Sequence, residues 1–167
     1  MRISEFEGVK INCIEVDIDL IIDNPKSSKL YPYIVVNKET KISCFKPSPL
    51  HGRSIVTDFT PTLGRFTITK GNGLTYFPFG FVSTKELEDY AWGYLRKKDA
   101  IRDFKSGSHI NKLGILTNEM EAVYTLKEEQ VKYSNCIKSS TPTLLQYSVI
   151  CPYRIADIPF LSKALVT

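Results

Sequence analysis

The sequence predicts an α+β fold: mostly antiparallel, hairpin-connected strands packed on one long helix at about residues 84–104, within a single compact domain spanning 1–167. Three observations carry that expectation. Short segments with period-two alternation follow one another through the first eighty residues, separated by clusters of Asn, Pro, Ser and Gly. A single segment has the 3.6-residue period of an amphipathic helix. Two further strand-like runs, EAVYTL and LLQYSVIC, lie beyond it.

Taken in order, CIEVDIDLII alternates Ile14, Val16, Ile18 and Leu20 with Glu15, Asp17 and Asp19, which predicts one face for a core and one acidic face. YPYIVV, the turn NKET and KISCF read as a hairpin. KPSPLHGR is a loop, because Pro47 and Pro49 cannot both serve a central ladder. SIVTDFT is a strand stopped by Pro61. RFTIT and LTYFPF flank KGNG, where Asn72-Gly73 suits a two-residue hairpin turn that needs positive φ. In the helix, Leu87, Tyr90, Ala91, Tyr94 and Leu95 form one apolar stripe. Ser83 and Glu86 fit a capping box at its start, and Gly107 fits its stop. ADIPFLSKAL is expected as a short helix or turn.

Composition bounds the function. The chain is 43% hydrophobic and 24% charged, ordinary values for a globular domain. A net charge of +4 is mild for a dedicated nucleic-acid binder. No apolar run is long enough to span a membrane, and MRISEFEGVK lacks the apolar core of a signal peptide. Intracellular synthesis is therefore expected, with the cytoplasm or an assembled virion as the destination. Cys13, Cys44, Cys136 and Cys151 are scattered without a CxxC pair, so neither metal spacing nor a disulfide framework is indicated. With only His51 and His109 in the chain, no metal site is expected.

Two kinds of surface stand out. TYFPFGF places Tyr76, Phe77, Phe79 and Phe81 within six residues, at and beyond a proline that belongs on an edge strand. Such aromatics serve either a core or an interface. Arg96, Lys97, Lys98, Arg102 and Lys105 gather toward the helix end, interleaved with Asp99 and Asp103. They make either a solvated end or a partner for acidic groups, such as the Glu15, Asp17 and Asp19 face of another copy.

LHGRS, FVSTK and NEMEAVY occur in an order that resembles the motifs of ADP-ribosyltransferases. That resemblance implies an NAD-using enzyme in which His51 grips ribose or phosphate. Ser83 and Thr84 would order the site, and Glu119 and Glu121 would hold the nicotinamide ribose. The third motif position of the Ser-Thr-Ser strand is Lys85 here, and Ser83 is also explained as a helix cap.

The leading expectation is a non-enzymatic interaction or assembly component of a larger complex, such as a virus or phage particle structural protein. It needs no cofactor and has protein partners, self-association included. The ADP-ribosyltransferase-like enzyme is the alternative, and nucleic-acid binding through the basic helix end is a third.

Overall fold

The computed structural model describes residues 9–11, 13–15, 18–24, 33–35, 44–46, 54–72, 95–126, 131–132 and 139–155. Among them, eight strands form one antiparallel sheet with a helix packed on it, the α+β class expected. In chain order the elements are β1 (Val9–Ile11), β2 (Cys13–Glu15), β3 (Ile18–Asp23), β4 (Tyr33–Val35), β5 (Cys44–Lys46), β6 (Ser54–Thr60), β7 (Arg65–Lys70) and β8 (Leu95–Arg96). Then come α1 (Lys97–Lys112), β9 (Glu119–Leu126), β10 (Val131–Lys132), β11 (Ser139–Ser140) and β12 (Pro142–Val149). The sheet order is β1-β5-β6-β7-β12-β9-β3, with β8 also paired to β12. The pairs β10-β11 and β2-β4 stand apart.

The hairpin that organises the sheet is β6-β7. Pro61 supplies the fixed φ of its turn, the amide of Leu63 bonds the Thr60 carbonyl at 3.1 Å, and Gly64 closes the turn at φ 58°. From there β7 pairs with β6 on one side, Ser54 opposite Lys70, and with β12 on the other, Leu145 opposite Lys70. Both edges of β7 are thus filled; LTYFPF and Gly73, the rest of the hairpin expected there, lie outside the described residues. The glycine with positive φ is Gly71, at 102°. A Cβ there would overlap the Thr143 carbonyl oxygen and stand 2.9 Å from Leu95 Cβ. The chain can therefore leave β7 beside β8 and β12 only as glycine.

The hairpin expected between YPYIVV and KISCF does not form. β4 pairs with β2, whereas β5 pairs with β1 and β6. Pairing with segments earlier in the chain has overridden a local turn signal. The acidic run CIEVDIDLII divides between β2 and β3, and its strict alternation fails. An extra residue, Ile21, interrupts the β3-β9 register, leaving Leu20 exposed while Ile21 and Ile22 pack against the core.

The helix also differs from its expected limits. Residues 84–94 lie outside the described residues, as do the Ser83 cap and ADIPFLSKAL. Leu95-Arg96 is a strand, opposite Thr143 and Pro142, and the helix runs on from Lys97 to Lys112. Its buried stripe is Ala100, Phe104 and Gly107, laid on Met120, Val123 and Leu145. Gly107 is not the stop. It is buried in the helix interior because Met120 occupies the space its side chain would need, with Met120 Cγ 2.8 Å from where a Cβ would stand. The chain turns instead at Leu113-Gly114, where Gly114 has φ 77° and its amide bonds the Asn111 carbonyl at 3.0 Å.

The sheet buries both faces. Toward the helix lie Leu145, Val123 and Met120, joined through the half-buried Tyr147 to Val56, Phe66, Ile68 and Val149. On the other face Ala122, Tyr124, Leu126 and Leu144 form a separate apolar cluster. No helix among the described residues is long and apolar enough to cross a membrane.

Replacing Gly107 by valine should cost roughly 1–3 kcal/mol through overpacking. Combining it with Met120→Ala should recover part of that loss, a non-additivity read from urea unfolding of the single and double variants.

Candidate functional site

Alternation along β7 puts Phe66, Ile68 and Lys70 on the helix side and Thr67 and Thr69 on the other. Along α1, Asp103 falls three residues after Ala100 and one before Phe104, at the margin of the buried stripe. These two periodicities meet in one contact. Lys70 Nζ donates to Asp103 Oδ2 at 2.8 Å, with both side chains mostly buried. Burial alone would raise the Asp103 carboxyl; the hydrogen bond and charge of Lys70, with those of Arg102, outweigh it and hold the group below the ordinary carboxylate value. The aspartate therefore stays ionised at neutral pH and keeps the lysine ammonium fixed at the end of the strand. Gly71 locks the backbone immediately after it.

The basic cluster lies at the opposite end of the helix from the one expected. Because α1 begins at Lys97, Arg96, Lys97, Lys98 and Arg102 occupy its N-terminal half, where the dipole disfavours cations. Asp99 compensates, accepting from Arg96 Nε at 2.6 Å and lying 3.4 Å from Arg102 Nη1. Arg102 Nη2 also lies 3.4 Å from Asp103 Oδ1, on the side of the carboxylate that Lys70 leaves open. Lys97, Lys98 and Lys105 are exposed.

Glu119 and Glu121 stand at the start of β9 on the face opposite the helix. Glu121 is the extra residue of a bulge against β12, since Gln146 faces Ala122 and Tyr147 faces Met120. The bulge turns its carboxylate toward a polar layer, where Gln146 Nε2 donates to it at 2.7 Å. Thr57, Thr67, Thr69 and Ser148 are buried on the same face, Thr57 Oγ1 lying 3.5 Å from Thr69 Oγ1. Burial pushes the Glu121 carboxyl above its ordinary value, and the hydrogen bonds from Gln146 and Ser148 offset only part of that push. The neighbouring Tyr124 hydroxyl is pushed up to about 12 by burial, then by the charges of Glu121 and Asp23.

Glu119 instead pairs with Arg65, 3.4 Å away, and lines a cleft of about 490 Å³. Asn24, Arg65, Ser108, Asn111, Lys112, Leu116, Thr117 and Met120 complete its walls. Asn24 is fixed there by its side-chain amide on the Met120 carbonyl, 3.1 Å, and by its backbone amide on the Glu121 carbonyl. This cleft opens at the far end of β7 from Lys70.

Of the residues expected to act together, Glu119 and Glu121 are adjacent, whereas His51, Ser83 and Thr84 lie outside the described residues. So do Tyr76, Phe77, Phe79 and Phe81, together with Asp17 and the side chain of Glu15. Asp19 is exposed on β3. In the sequence Lys70 opens the KGNG turn and Asp103 is one of the acids interleaved in the basic helix end, with nothing local to join them. What could have found them is a strand ending in lysine, TITK, followed by a helix with an acid beside its apolar stripe. Among the described residues no three His, Cys, Asp or Glu side chains converge as metal ligands. No family model matches the chain, and no curated protein is significantly similar to it.

Gly71→Ala should destabilise the fold by roughly 1–3 kcal/mol, read by thermal unfolding, because the substitution is strained both in φ and in space. The folded carboxyl of Glu121 titrates above its unfolded value, so its contribution is favourable in acid and is lost as pH rises through that window. Glu121→Gln should therefore raise the unfolding midpoint at pH 7–8 and leave it nearly unchanged near pH 4.

Proposed function

We propose that this domain binds a nucleoside triphosphate through Lys70, as the strand-lysine and helix-acid half of a kinase-like site. The observation that carries the reading is the 2.8 Å contact between Lys70 and Asp103. In protein kinases a lysine on the third strand pairs with the nucleotide phosphates and is held by an acid on the helix that follows. Here β5, β6 and β7 are three successive antiparallel strands, the lysine ends the third, and α1 carries the acid. The likeness is one of arrangement. TITK stands where kinases have V-A-I-K, with Ile68 and Lys70 sharing the helix-side face and two threonines turned to the other.

The acid is aspartate, one methylene shorter than the kinase glutamate. The sequence has no G-x-G-x-x-G loop and neither H-R-D nor D-F-G. The proposal is accordingly confined to phosphate binding and assigns no phosphoryl transfer to this chain. Physically, the pair supplies a mostly buried ammonium aimed by a partner that itself stays ionised.

A second reading, assembly with protein partners, is favoured by a different observation. Leu113, Ile115 and Leu116 are exposed within four residues at the turn after α1, at 63, 57 and 81%. Contiguous exposed apolar side chains of this kind mark interaction surfaces. This supports the assembly expectation at a place the sequence had not suggested.

Calorimetric titration of the chain with ATP and Mg²⁺ tests the first reading. Lys70→Met should weaken binding at least about tenfold, or ~1.4 kcal/mol, and Asp103→Asn by roughly half that free energy, with circular dichroism unchanged. Equal affinity in Lys70→Met and wild type, or no heat at millimolar ATP, would dismiss it.

A further inference from the structure

The geometry points to a second copy of this chain as the partner of the apolar turn, in a two-fold pair centred on the cleft between the end of α1 and β3. This inference rests on the assembly reading above and names its partner.

One wall of the cleft is basic and apolar. Lys112 and Leu116 line it, and Leu113 and Ile115 extend the same apolar turn at its rim. The other side is acidic and apolar. Asn24 lines the cleft and directly follows β3, whose exposed residues are Asp19, Leu20 and Asp23. Leu20 is 53% exposed, because the Ile21 bulge turns it away from the core. Among the described residues β3 is the terminal strand of the sheet and pairs on one side only, with β9.

A two-fold interface uses the same patch on both subunits, so residue i meets j and j meets i. The patch must therefore carry both halves of its own complement. This one does: cation and leucine on the helix turn, carboxylate and leucine on the strand, with the cleft between them. Rotation about an axis through the cleft sets Lys112 of each copy against Asp23 of the other and closes Leu113 and Leu116 over Leu20. A partner of uniform charge would satisfy one side and be repelled by the other, which is why a second copy fits better than a purely acidic or purely basic protein.

The test is molar mass by light scattering across a concentration series for wild type, Lys112→Glu, Asp23→Lys and the double charge swap. Leu116→Ser, at a side chain 81% exposed, serves as a variant that cannot harm the core. Wild type should pass from monomer to a defined dimer. Each single charge change and Leu116→Ser should weaken the dimer at least tenfold, and the double swap should return it to within about threefold of wild type. Recovery in the double swap is the result a nonspecific hydrophobic contact would not give. Association lost with Leu116→Ser but indifferent to both charge changes would overturn the pairing and leave the assembly reading standing. A monomer at every concentration would overturn self-association outright, while leaving docking of a different protein on the turn to be judged by its own binding. None of these outcomes depends on nucleotide.

Discussion

The contact between Lys70 and Asp103 depends on how closely α1 can approach the sheet. Gly107 standing against Met120 sets that distance: a helix with any side chain there would ride higher on β9. From that seating, Phe104 and Ala100 reach Val123 and Leu145, and Asp103 comes within hydrogen-bond range of Lys70. A charge-assisted contact tolerates little displacement, since its strength falls steeply once donor and acceptor separate beyond about 3.2 Å. Lys70 is fixed from its own side by an equally strict device, Gly71, which lets the chain leave β7 where the Thr143 carbonyl leaves no room for a Cβ. Two glycines, one per partner, thus position a single ion pair.

Two opposite solutions to burying charge coexist here. On the helix side, Asp103 is paired with a cation and is held ionised. On the other face, Glu121 is met by the neutral donors Gln146 and Ser148 and is pushed toward its protonated form. The difference follows from strand geometry: Lys70 projects to the helix side, whereas Arg65, whose charge acts on Glu121, is engaged by Glu119 at the strand's other end. Acid therefore affects the two faces in opposite senses. Falling pH removes the stabilisation from Asp103, and the same change relieves the burial cost of Glu121.

Local, self-contained signals were legible in the sequence; those that depend on competition between distant segments were not. SIVTDFT, RFTIT, EAVYTL and LLQYSVIC are strands because their alternation or apolar content suits both-face burial anywhere. That β12, more than seventy residues later, pairs along β7 could not be read from any local pattern beside Asn72. The described helix limits differ from the expected ones because an apolar stripe continues through Leu95, yet Leu95 is opposite Thr143 in a ladder and this helix runs from Lys97 to Lys112; residues 84–94 lie outside the described residues. Gly107 looked like a stop because glycine is costly inside a helix; the reason it is tolerated, Met120, lies on another element. Asp103 was hidden for the same reason. Its helix face was visible, but the lysine it meets is thirty-three residues away.

The two proposed surfaces share one mechanical element. Asp103 and Lys112 are nine residues apart on α1, about 14 Å along the axis, with Gly107 near the middle. A continuous helix of this length moves as a unit, so the Leu113–Leu116 turn cannot be pulled outward without altering the seat of Gly107 on Met120. Tilting the helix there would lengthen the Lys70–Asp103 contact before it disturbed the Val56 and Phe66 cluster, which α1 does not help to build. The ion pair and the cleft wall thus lie on one helix. If a partner closes over that end, rigid-body coupling through α1 is the physical route by which it would be felt at Lys70, with no change in the sheet itself required.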